Sequence, residues 1–460
     1  GEKADYVKEL VEIINQEERD DQLAEKLSAY HENDIAEAFE LLDEKGRRKL
    51  YRVLDTEWMS EVFAYLDDVG TYLEELEADD AADIIENMDA DDAVDVLQEV
   101  DDNVREKLVS LMNEEATEDI ELICSYQEDQ IGSMMTTNFI EISRTLTIKQ
   151  AMRQLIAQAD DNDNISILYV TDEDGMFYGA IDLKDLIIAR AGESLESLIS
   201  TSYPYVLASD SITDNLERLK DYAEDSIPVL DQEHHIIGVI TAQDLVEAVD
   251  DEMGEDYAQL AGLTTEEDLD ESVGQSMKKR LPWLIILLGL GMVVSSVVGI
   301  FEKVVTALPI IMCFQSLILD MAGNVGTQSL AVTIRVLMDE SLTGKQKLEL
   351  VWKEMRIGLC NGGLLGILSF ALIGLYIYLF KGKTLLFSYA VSGCIGVALL
   401  LAMLISSAVG TCIPLFFKKI NIDPAVASGP LITTVNDLVA VITYYGLSWL
   451  FLLKMLNLAG

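Results

Sequence analysis

Two isolated carboxylates lie inside otherwise apolar stretches of the chain. Asp437 is in the middle of SGPLITTVNDLVAVITYYG, and Asp320 is in the middle of CFQSLILDMAGNVGTQS. Ionisable side chains are costly inside a membrane, so those that occur there usually serve a function. Carboxylate oxygens that leave room for retained water suit a hard cation such as Mg²⁺. Both carboxylates are therefore predicted to be ligands of a cation pathway. The alternative for each is a buried, protonated acid or a side chain that forms a hydrogen bond in helix packing.

Small and polar residues accompany both carboxylates. Residues 322–329, AGNVGTQS, are too polar for a lipid-facing surface and are predicted to line the same pathway. The alternative is close helix packing through small residues. A Gly-Pro pair precedes the last carboxylate by about two helical turns, where Pro leaves a backbone carbonyl free and Gly allows close approach. The predicted lining residues are Asn324, Gly326, Gln328, Gly429 and Pro430.

Five apolar stretches are long enough to hold these residues within a membrane, since about 20 residues cross it as a helix. They are residues 282–301, 304–337, 357–380, 385–417 and 424–451. With a cytoplasmic N-terminus, ten Lys or Arg flank the inner ends of these stretches and four flank the outer ends. This bias predicts a multi-pass protein of the cell membrane, with its N-terminus in the cytoplasm and its C-terminus outside.

Charge and apolarity are segregated along the 460 residues. Residues 281–460 contain 11 Lys or Arg and 8 Asp or Glu, a net charge of +3; residues 1–280 contain 21 and 73, a net charge of −52. Nucleic acids are bound through cationic contacts to phosphate, so an acidic surface excludes them as partners. Such a surface attracts cations instead, and its self-repulsion disfavours a compact state unless counter-ions bind.

Cysteine and histidine usage argues against an enzyme. None of the five Cys forms a CxxC pair, and the three His all lie outside the apolar half. A thiolate metal site is therefore not indicated. An intramembrane protease would need a GxGD aspartate pair or membrane His ligands, and the sequence has neither.

The acidic half begins with a weak helical repeat. ADDAADII at residues 78–85 recurs as ADDAVDVL at residues 90–97. Each unit has acidic residues at a helix start and a short apolar stripe, which favours a stack of short helices. Residues 1–132 are predicted to be an all-α domain, in which most of the Asp side chains serve the helix starts.

Residues 133–197 and 198–252 then repeat one order of strand and helix signals. The copies align through GAIDLKDL at 179–186 and GVITAQDL at 238–245. This pattern resembles a tandem pair of CBS domains. The resemblance implies an adenine-nucleotide site, such as one for ATP, at the residues that match its Gly-apolar-apolar-Ser/Thr-x-x-Asp motif. Those residues are Gly238, Thr241 and Asp244, and the alternative is a CBS pair that binds no nucleotide.

A helical connector, residues 253–280, is predicted to join the acidic half to the first span. Its start carries a dense group of acidic residues, and these are predicted to sense cations where the two halves meet. They are Asp250, Asp251, Glu255 and Asp256.

The order of acidic helices, CBS pair, connector and five spans resembles the MgtE family of Mg²⁺ channels over essentially the whole chain. AGNVGTQS is similar to the family signature GGN-x-G-x-Q-S, with Ala322 in place of the first Gly. DPAVASGPLITTVND, residues 423–437, is similar to the signature of its last helix, with Gly429 where Asn can occur and Ala440 in place of a Gly. Both departures concern the details of ion selectivity.

The resemblance implies a homodimer in which the second and fifth helices line one pore through the bilayer. It implies that Asp437 coordinates hydrated Mg²⁺ on the dimer axis and that Asp423 is an ion site at the inner mouth. It also implies a gate that closes at high cytosolic Mg²⁺, when ions bridge acidic faces that include Asp91 and Asp95.

The expected fold is therefore multidomain: an all-α acidic repeat, an α/β CBS pair, a connector helix and an all-α domain of five spans in residues 281–460. The main alternative is a CBS-regulated transporter or exchanger of another divalent cation, because carboxylates and carbonyls also suit Mn²⁺ and Ca²⁺. A purely sensory membrane protein would not explain the polar segment and isolated carboxylate in the apolar half.

Overall fold

The computed structural model describes residues 6–16, 19–66, 69–159, 162–190, 192–265, 272–339, 342–427 and 429–455. Its contacts divide the chain into two compact units, residues 1–249 and residues 250–460. Each unit is described separately below.

The first unit begins with a series of short helices. Several start at a side chain that accepts a hydrogen bond from the first turn: Asp43 from the Gly46 amide, and Asp55 from the Trp58 amide. Such caps satisfy amides that have no partner within the helix. The helices are α1 (Tyr6–Asn15), α2 (Asp20–Leu27), α3 (Glu32–Leu41), α4 (Glu44–Val53), α5 (Thr56–Phe63), α6 (Val69–Leu73), α7 (Ala78–Glu86), α8 (Ala90–Glu99), α9 (Asp102–Leu111) and α10 (Glu114–Cys124).

One apolar face of each helix in this series faces the core. Phe39 and Phe63 are fully buried with their rings edge to face, 6.0 Å apart. The two sequence repeats form α7 and α8, which bury their Ala, Ile, Val and Leu residues and expose most of their acidic ones. The stack of short acidic helices predicted from the repeat is therefore present.

Two similar three-stranded sheets follow. The first contains β1 (Ile140–Ser143), β2 (Ile167–Thr171) and β3 (Phe177–Asp182), in the order β1-β2-β3; β1 is parallel to β2, and β3 is antiparallel to it. α11 (Ile148–Gln158) connects β1 to β2, and α12 (Leu183–Ile188) follows β3.

The second sheet repeats this arrangement. It contains β4 (Val206–Leu207), β5 (Ser226–Leu230) and β6 (Ile236–Thr241), with α13 (Ile212–Tyr222) between β4 and β5. The hydroxyls of Tyr169 and Ser226 are hydrogen-bonded at 2.5 Å and join the two copies. The α/β pair expected from the alternating pattern is confirmed.

α14 (Ala242–Leu260) follows β6 without interruption and crosses the boundary between the two units. The limit drawn from the sequence at residues 252 and 253 falls inside this helix, because the last helix of the second α/β copy and the connector are continuous. Residues 266–271 of the predicted connector lie outside the described part of the chain.

The second unit contains, among its described residues, five helices long and apolar enough to cross a membrane. Their number agrees with the five predicted spans; the first and third start earlier than predicted, and the second and fifth start later. A short helix, α16 (Glu302–Ala307), follows the first of them, and a 3-10 turn, Pro309–Phe314, precedes the second. The long helices are α15 (Val273–Ile300), α17 (Gln315–Asp339), α18 (Gly344–Phe380), α19 (Leu385–Lys419) and α20 (Gly429–Leu447), the last extended by a π-helical stretch, Ser448–Met455.

α19 is the most buried of the long helices, and glycines of α18 pack directly on it. A Cβ at Gly366 would lie 2.8 Å from the Gly396 carbonyl oxygen, and one at Gly362 would lie 3.0 Å from the Leu400 Cα. Small residues of this kind let membrane helices approach closely. α18 and α19 therefore form a tightly packed pair against which the other helices are placed.

Candidate ion pathway and sensor sites

A polar stripe runs along α17. Asp320, Asn324 and Gln328 are four residues apart and all three are exposed in the protomer. Residues four apart lie on one face of a helix. The structure therefore places the predicted carboxylate and two of the predicted lining residues on a common face, which is exposed in the described part of the protomer.

Gly326 does not share this face, and its predicted place in the lining is corrected. It is buried between α20 and α19: a Cβ there would overlap the side-chain amide of Asn436, and a Cβ at Gly410 would overlap the Gly326 carbonyl oxygen. The neighbouring Gly323 packs similarly, 3.0 Å from the Thr433 Cγ2 when a Cβ is built on it. Gly326 allows three helix backbones to meet, which is the packing alternative given by the sequence.

Asp437 is half-buried on α20, one residue after the fully buried Asn436. Both polar side-chain atoms of Asn436, Oδ1 and Nδ2, are buried and have no hydrogen-bond partner among the described residues. Asn436 is a residue that the sequence reasoning missed. A polar amide beside a functional carboxylate in an apolar segment was a signal that could have identified it.

α20 begins at Gly429 and Pro430. Proline is well tolerated in the first turn of a helix, where its missing amide has no partner to lose. The Pro430 carbonyl accepts a hydrogen bond from the Thr434 hydroxyl at 2.9 Å, within the first turn of the helix. These two residues mark the start of the helix that carries Asp437.

The end of α14 packs against this start. A Cβ at Gly429 would lie 3.2 Å from the Leu260 carbonyl oxygen, and Gly262, which has a φ of +88°, lies directly on Pro430. Leu260 also packs against Ile432 and its apolar neighbours. The left-handed backbone at Gly262 favours glycine and ends the helix at this contact.

Acidic side chains surround the contact between α14 and α20. Asp423, just before α20, caps the turn that it begins by accepting the Ala425 amide at 2.8 Å. Burial, with the nearby charges of Asp423 and then Glu252 and Glu255, raises the pKa of Asp256 to about 7. Near the end of α14, the Oε1 of Gln259 is buried with no partner among the described residues.

The other predicted connector acids are on the exposed surface of α14. Asp250, Asp251 and Glu255 are exposed, whereas Asp256 is half-buried. Of these four residues, the structure therefore brings Asp256 to the contact with α20. Gln259, which follows on the same helix, was not identified from the sequence, because it carries no charge.

A second acidic group lies within the first unit, where α8 and α14 begin. Burial, followed by the charges of Asp244, Asp92 and Asp89, raises the pKa of Asp91 to about 9. Burial is also the main reason that the pKa of Asp92 is raised to about 7 and the pKa of Asp244 to about 6. One oxygen of Asp91 is buried without a partner among the described residues, whereas Asp95 is exposed.

The three predicted nucleotide residues lie close to this group. The Asp244 carboxylate accepts the Thr241 amide at 2.7 Å, and the Asp244 amide donates to the Thr241 hydroxyl at 3.3 Å, a reciprocal cap at the start of α14. Gly238 is packed so closely that a Cβ would lie 2.9 Å from the Thr136 carbonyl oxygen.

A separate pocket of about 420 Å³ lies in the same unit, next to β4. Its lining includes Tyr203, Tyr205, Tyr222 and Arg218, and none of the three predicted nucleotide residues. The motif and the pocket are therefore at different places in the CBS pair.

Neither acidic group is a dry chelating site. Within the described ranges, no three His, Cys, Asp or Glu side chains are close enough together to hold an ion directly. Mg²⁺ usually retains several waters and uses one or two carboxylates. Two carboxylates in each group would therefore suit Mg²⁺ only as the hydrated ion.

An acidic helical region and a pair of α/β repeats joined to five apolar helices, two of which carry the predicted ligands Asp320 and Asp437, are features of a membrane protein that transports cations. Comparison with known proteins identifies the family. Residues 315–447 match the family model of MgtE, described as a divalent cation transporter, residues 30–129 match the MgtE intracellular N domain, and residues 131–192 and 195–251 match CBS domains. The chain belongs to the MgtE family, as its sequence motifs predicted.

Individual relatives agree. The chain is 34% identical to the magnesium transporter MgtE of Enterococcus faecalis over 340 residues, 74% of this chain and 73% of the relative. Its fold is similar to the soluble part of a magnesium transporter, with 28% identity and a TM-score of 0.51, over 54% of this chain and 98% of that one. A cytosolic domain of the Mg²⁺ channel MgtE, solved in complex with ATP, matches at 27% identity and a TM-score of 0.46, over 49% of this chain and 93% of that one.

Proposed function

We propose that this protein carries Mg²⁺ across the cell membrane and closes when Mg²⁺ is abundant on the side of its acidic domains. The observation that carries the proposal is the contact between α14 and α20. There the end of the connector helix rests on the first residues of the helix that carries Asp437. Close to this contact, burial and then the charge of Asp423 raise the pKa of Asp256.

The pathway is formed by two copies of the chain. The exposed stripe of Asp320, Asn324 and Gln328 on α17 and the half-buried Asp437 on α20 supply oxygen ligands within the membrane. A two-fold axis beside these helices doubles each ligand, which suits an ion that retains its water. In a single protomer, the exposed polar stripe would contact lipid, which is unfavourable. In a homodimer, the stripe would instead line the pathway between the two copies.

The gate follows from repulsion between carboxylates. Without Mg²⁺, Asp256 and Asp423 repel each other at the contact of α14 with α20. In the first unit, burial and the neighbouring carboxylates favour the protonated forms of Asp91 and Asp92, which a bound cation would replace. Hydrated Mg²⁺ bound between them removes the repulsion and favours the arrangement in which they are close. An ion shifts such an equilibrium only by binding one state more tightly, and close carboxylates provide that difference.

The orientation places the acidic domains in the cytoplasm and the C-terminus outside. Its support is the excess of Lys and Arg at the ends of the apolar stretches that face the acidic half. The gate then responds to cytoplasmic Mg²⁺. Mg²⁺ that has entered the cell therefore limits further entry of Mg²⁺.

A nucleotide site at Gly238, Thr241 and Asp244 stays a prediction of the CBS motif. The carboxylates near Asp244 repel a bare triphosphate. We therefore expect an adenine nucleotide such as ATP to bind there only as its Mg²⁺ complex. A nucleotide that binds equally well in EDTA would contradict this site.

The test is Mg²⁺ flux and ionic current in proteoliposomes, with Mg²⁺ titrated on the side of the acidic domains. The variants are Asp437→Ala and, as a matched control, Glu349→Ala, an exposed acid at the start of α18. We expect flux with current that falls as sensor-side Mg²⁺ rises, collapses in Asp437→Ala and persists in the control.

Other outcomes separate the alternatives. Flux without current would indicate a coupled carrier. Equal flux of Mn²⁺ or Ca²⁺ would favour a general divalent-cation transporter, and unchanged flux in Asp437→Ala would move the principal site to Asp320.

A further inference from the structure

We propose that Glu354 is a positioning residue of the ion pathway: through its hydrogen bond to Ser329 it fixes the rotation of α17 about its own axis. That rotation decides where the polar stripe of Asp320, Asn324 and Gln328 points. The inference rests on the proposed transport function and adds to it a residue on α18, a helix with no predicted ligand.

The contact itself is buried and direct. The Ser329 hydroxyl donates to a Glu354 carboxylate oxygen at 2.9 Å. Glu354 is 5% exposed and Ser329 is 3% exposed. One turn further along α17, the Thr333 hydroxyl donates to the Ser329 carbonyl at 2.7 Å. A carboxylate is costly to bury in a membrane segment, and a packing role alone would be met by an apolar side chain.

Glu354 is placed on a firm support. One turn after it, Gly358 packs so closely on α19 that a Cβ would overlap the Ser407 hydroxyl, and Gly362 and Gly366 continue this packing. The pair of α18 and α19 therefore holds the Glu354 carboxylate at a fixed position relative to the bundle.

Two glycines form part of the α17 surface that meets α20. Gly323 faces Thr433 and Gly326 faces Asn436, so at these two places the side chains come from α20 alone. Each residue of a helix turns it by about 100°, so a rotation equal to one residue would move Gln328 and Asn324 off their exposed face. A directional hydrogen bond from Ser329, which follows Gln328 directly, restrains this rotation from the side of α18.

The experiment measures Mg²⁺ flux of the full-length protein in proteoliposomes as a function of Mg²⁺ on the side opposite the acidic domains. The variants are Glu354→Ala, Glu354→Gln, Ser329→Ala, and Glu354→Ala with Ser329→Ala. Glu349→Ala is the control, because Glu349 is an exposed acid on the same helix, ion-paired to Lys345.

We expect Glu354→Ala and Ser329→Ala each to raise the KM for Mg²⁺ about 3- to 20-fold, the effect of one hydrogen bond between membrane helices. The double variant should match the single ones. Glu354→Gln should stay close to the unmodified protein, because its amide oxygen still accepts from Ser329.

Three results would overturn the proposal: a KM in Glu354→Ala equal to that of Glu349→Ala, additive effects in the double variant, or a Glu354→Gln variant as impaired as Glu354→Ala. If Glu354→Ala does not assemble, Ser329→Ala tests the same contact by removing a single hydroxyl.

A second readout separates this proposal from the transport function itself. Gln328→Cys, in a background without the five native cysteines, reports the direction of the stripe through its labelling rate by a water-soluble thiol reagent. We expect Glu354→Ala to slow this labelling. If labelling is slower but no variant carries Mg²⁺, the positioning role of Glu354 is supported and the transport function is contradicted. If Mg²⁺ flux is present but labelling is unchanged, the transport function is supported and the positioning role is contradicted.

Discussion

Gly326 illustrates how much a single residue decides in the membrane domain. At its position the backbone of α17 meets the Asn436 amide on one side and Gly410 of α19 on the other. An added methyl group has no space there, and the neighbours are a buried side chain and a helix backbone. The polar segment that contains Gly326 therefore packs against other helices at some residues and exposes the predicted pathway residues at others.

We expect Gly326→Ala to lower the free energy of unfolding by about 1 to 3 kcal/mol, as overpacking does in a close-packed core. Thermal unfolding of the full-length protein in detergent measures this. Gly291→Ala is the matched control: Gly291 is also in a membrane helix, but nothing lies within 4 Å of a Cβ built on it. Equal stability of the two variants would contradict the close packing of α17, α19 and α20.

At the scale of elements, the contact between α14 and α20 links the acidic connector to the pathway. α14 ends at Gly262 on the residues that start α20, and the apolar side chain of Leu260 and the acidic Asp256 lie on the same stretch of helix. The apolar contact holds the two helices together, and the charges oppose it. Such a balance can be shifted by a cation or by a proton.

We expect Asp256→Asn to flatten the dependence of Mg²⁺ flux on sensor-side Mg²⁺. Asp256 has a pKa of about 7, so it is mostly charged at pH 8 and mostly protonated at pH 6. In the unmodified protein at low Mg²⁺, flux should therefore fall as sensor-side pH is lowered from 8 to 6, because the repulsion that loosens the contact disappears.

Flux assays in proteoliposomes at these two pH values test this expectation. Asp250→Asn, the same change at an exposed position of α14, is the comparison and should retain most of both dependences. If the flux of Asp256→Asn still depends on pH, a titratable group other than Asp256 causes the pH dependence.

At the scale of the whole molecule, the net charge of −52 in residues 1–280 makes the acidic half sensitive to its ionic surroundings. Buried carboxylates in close groups add to this effect. Asp91, Asp92 and Asp244 have pKa values of about 9, 7 and 6, whereas carboxylates of the unfolded chain titrate near their ordinary value of about 4.

The folded state therefore binds more protons than the unfolded state between about pH 4 and pH 9. Where that holds, the free energy of unfolding falls as pH rises. We expect the first thermal unfolding transition, measured in EDTA, to move to lower temperature from pH 5 to pH 8. Added Mg²⁺ should reverse the loss, with its largest effect at pH 8.

Asp91→Asn should stabilise the Mg²⁺-free protein at pH 8 and weaken the pH dependence, because the Asp91 carboxyl must take up a proton when the protein folds at that pH and an amide need not. Asp95→Asn, an exposed position one turn later on the same helix, is the control. A pH dependence of equal size in both variants would place the titrating groups elsewhere.

The sequence by itself determined the class of each part of the chain. Period, length and charge depend on local residue choice, so five apolar stretches, an acidic helical repeat and a repeated α/β pattern were visible without coordinates, and two motifs indicated the family. Asp437 and Asp320 stood out because a carboxylate in an apolar segment is rare for a physical reason, the cost of burying charge.

Only the tertiary structure decided which residues of those segments meet. The sequence does not distinguish Gly326 from Asn324 and Gln328, because all three belong to one segment of small and polar residues. Helix packing buries Gly326 and leaves the other two exposed. The same holds for Asp256 among the connector acids, and for Gln259, Asn436 and Glu354, whose importance comes from burial against helices that are distant in the sequence. Burial and contact across helices are set by the fold of the whole bundle, and no local pattern specifies them.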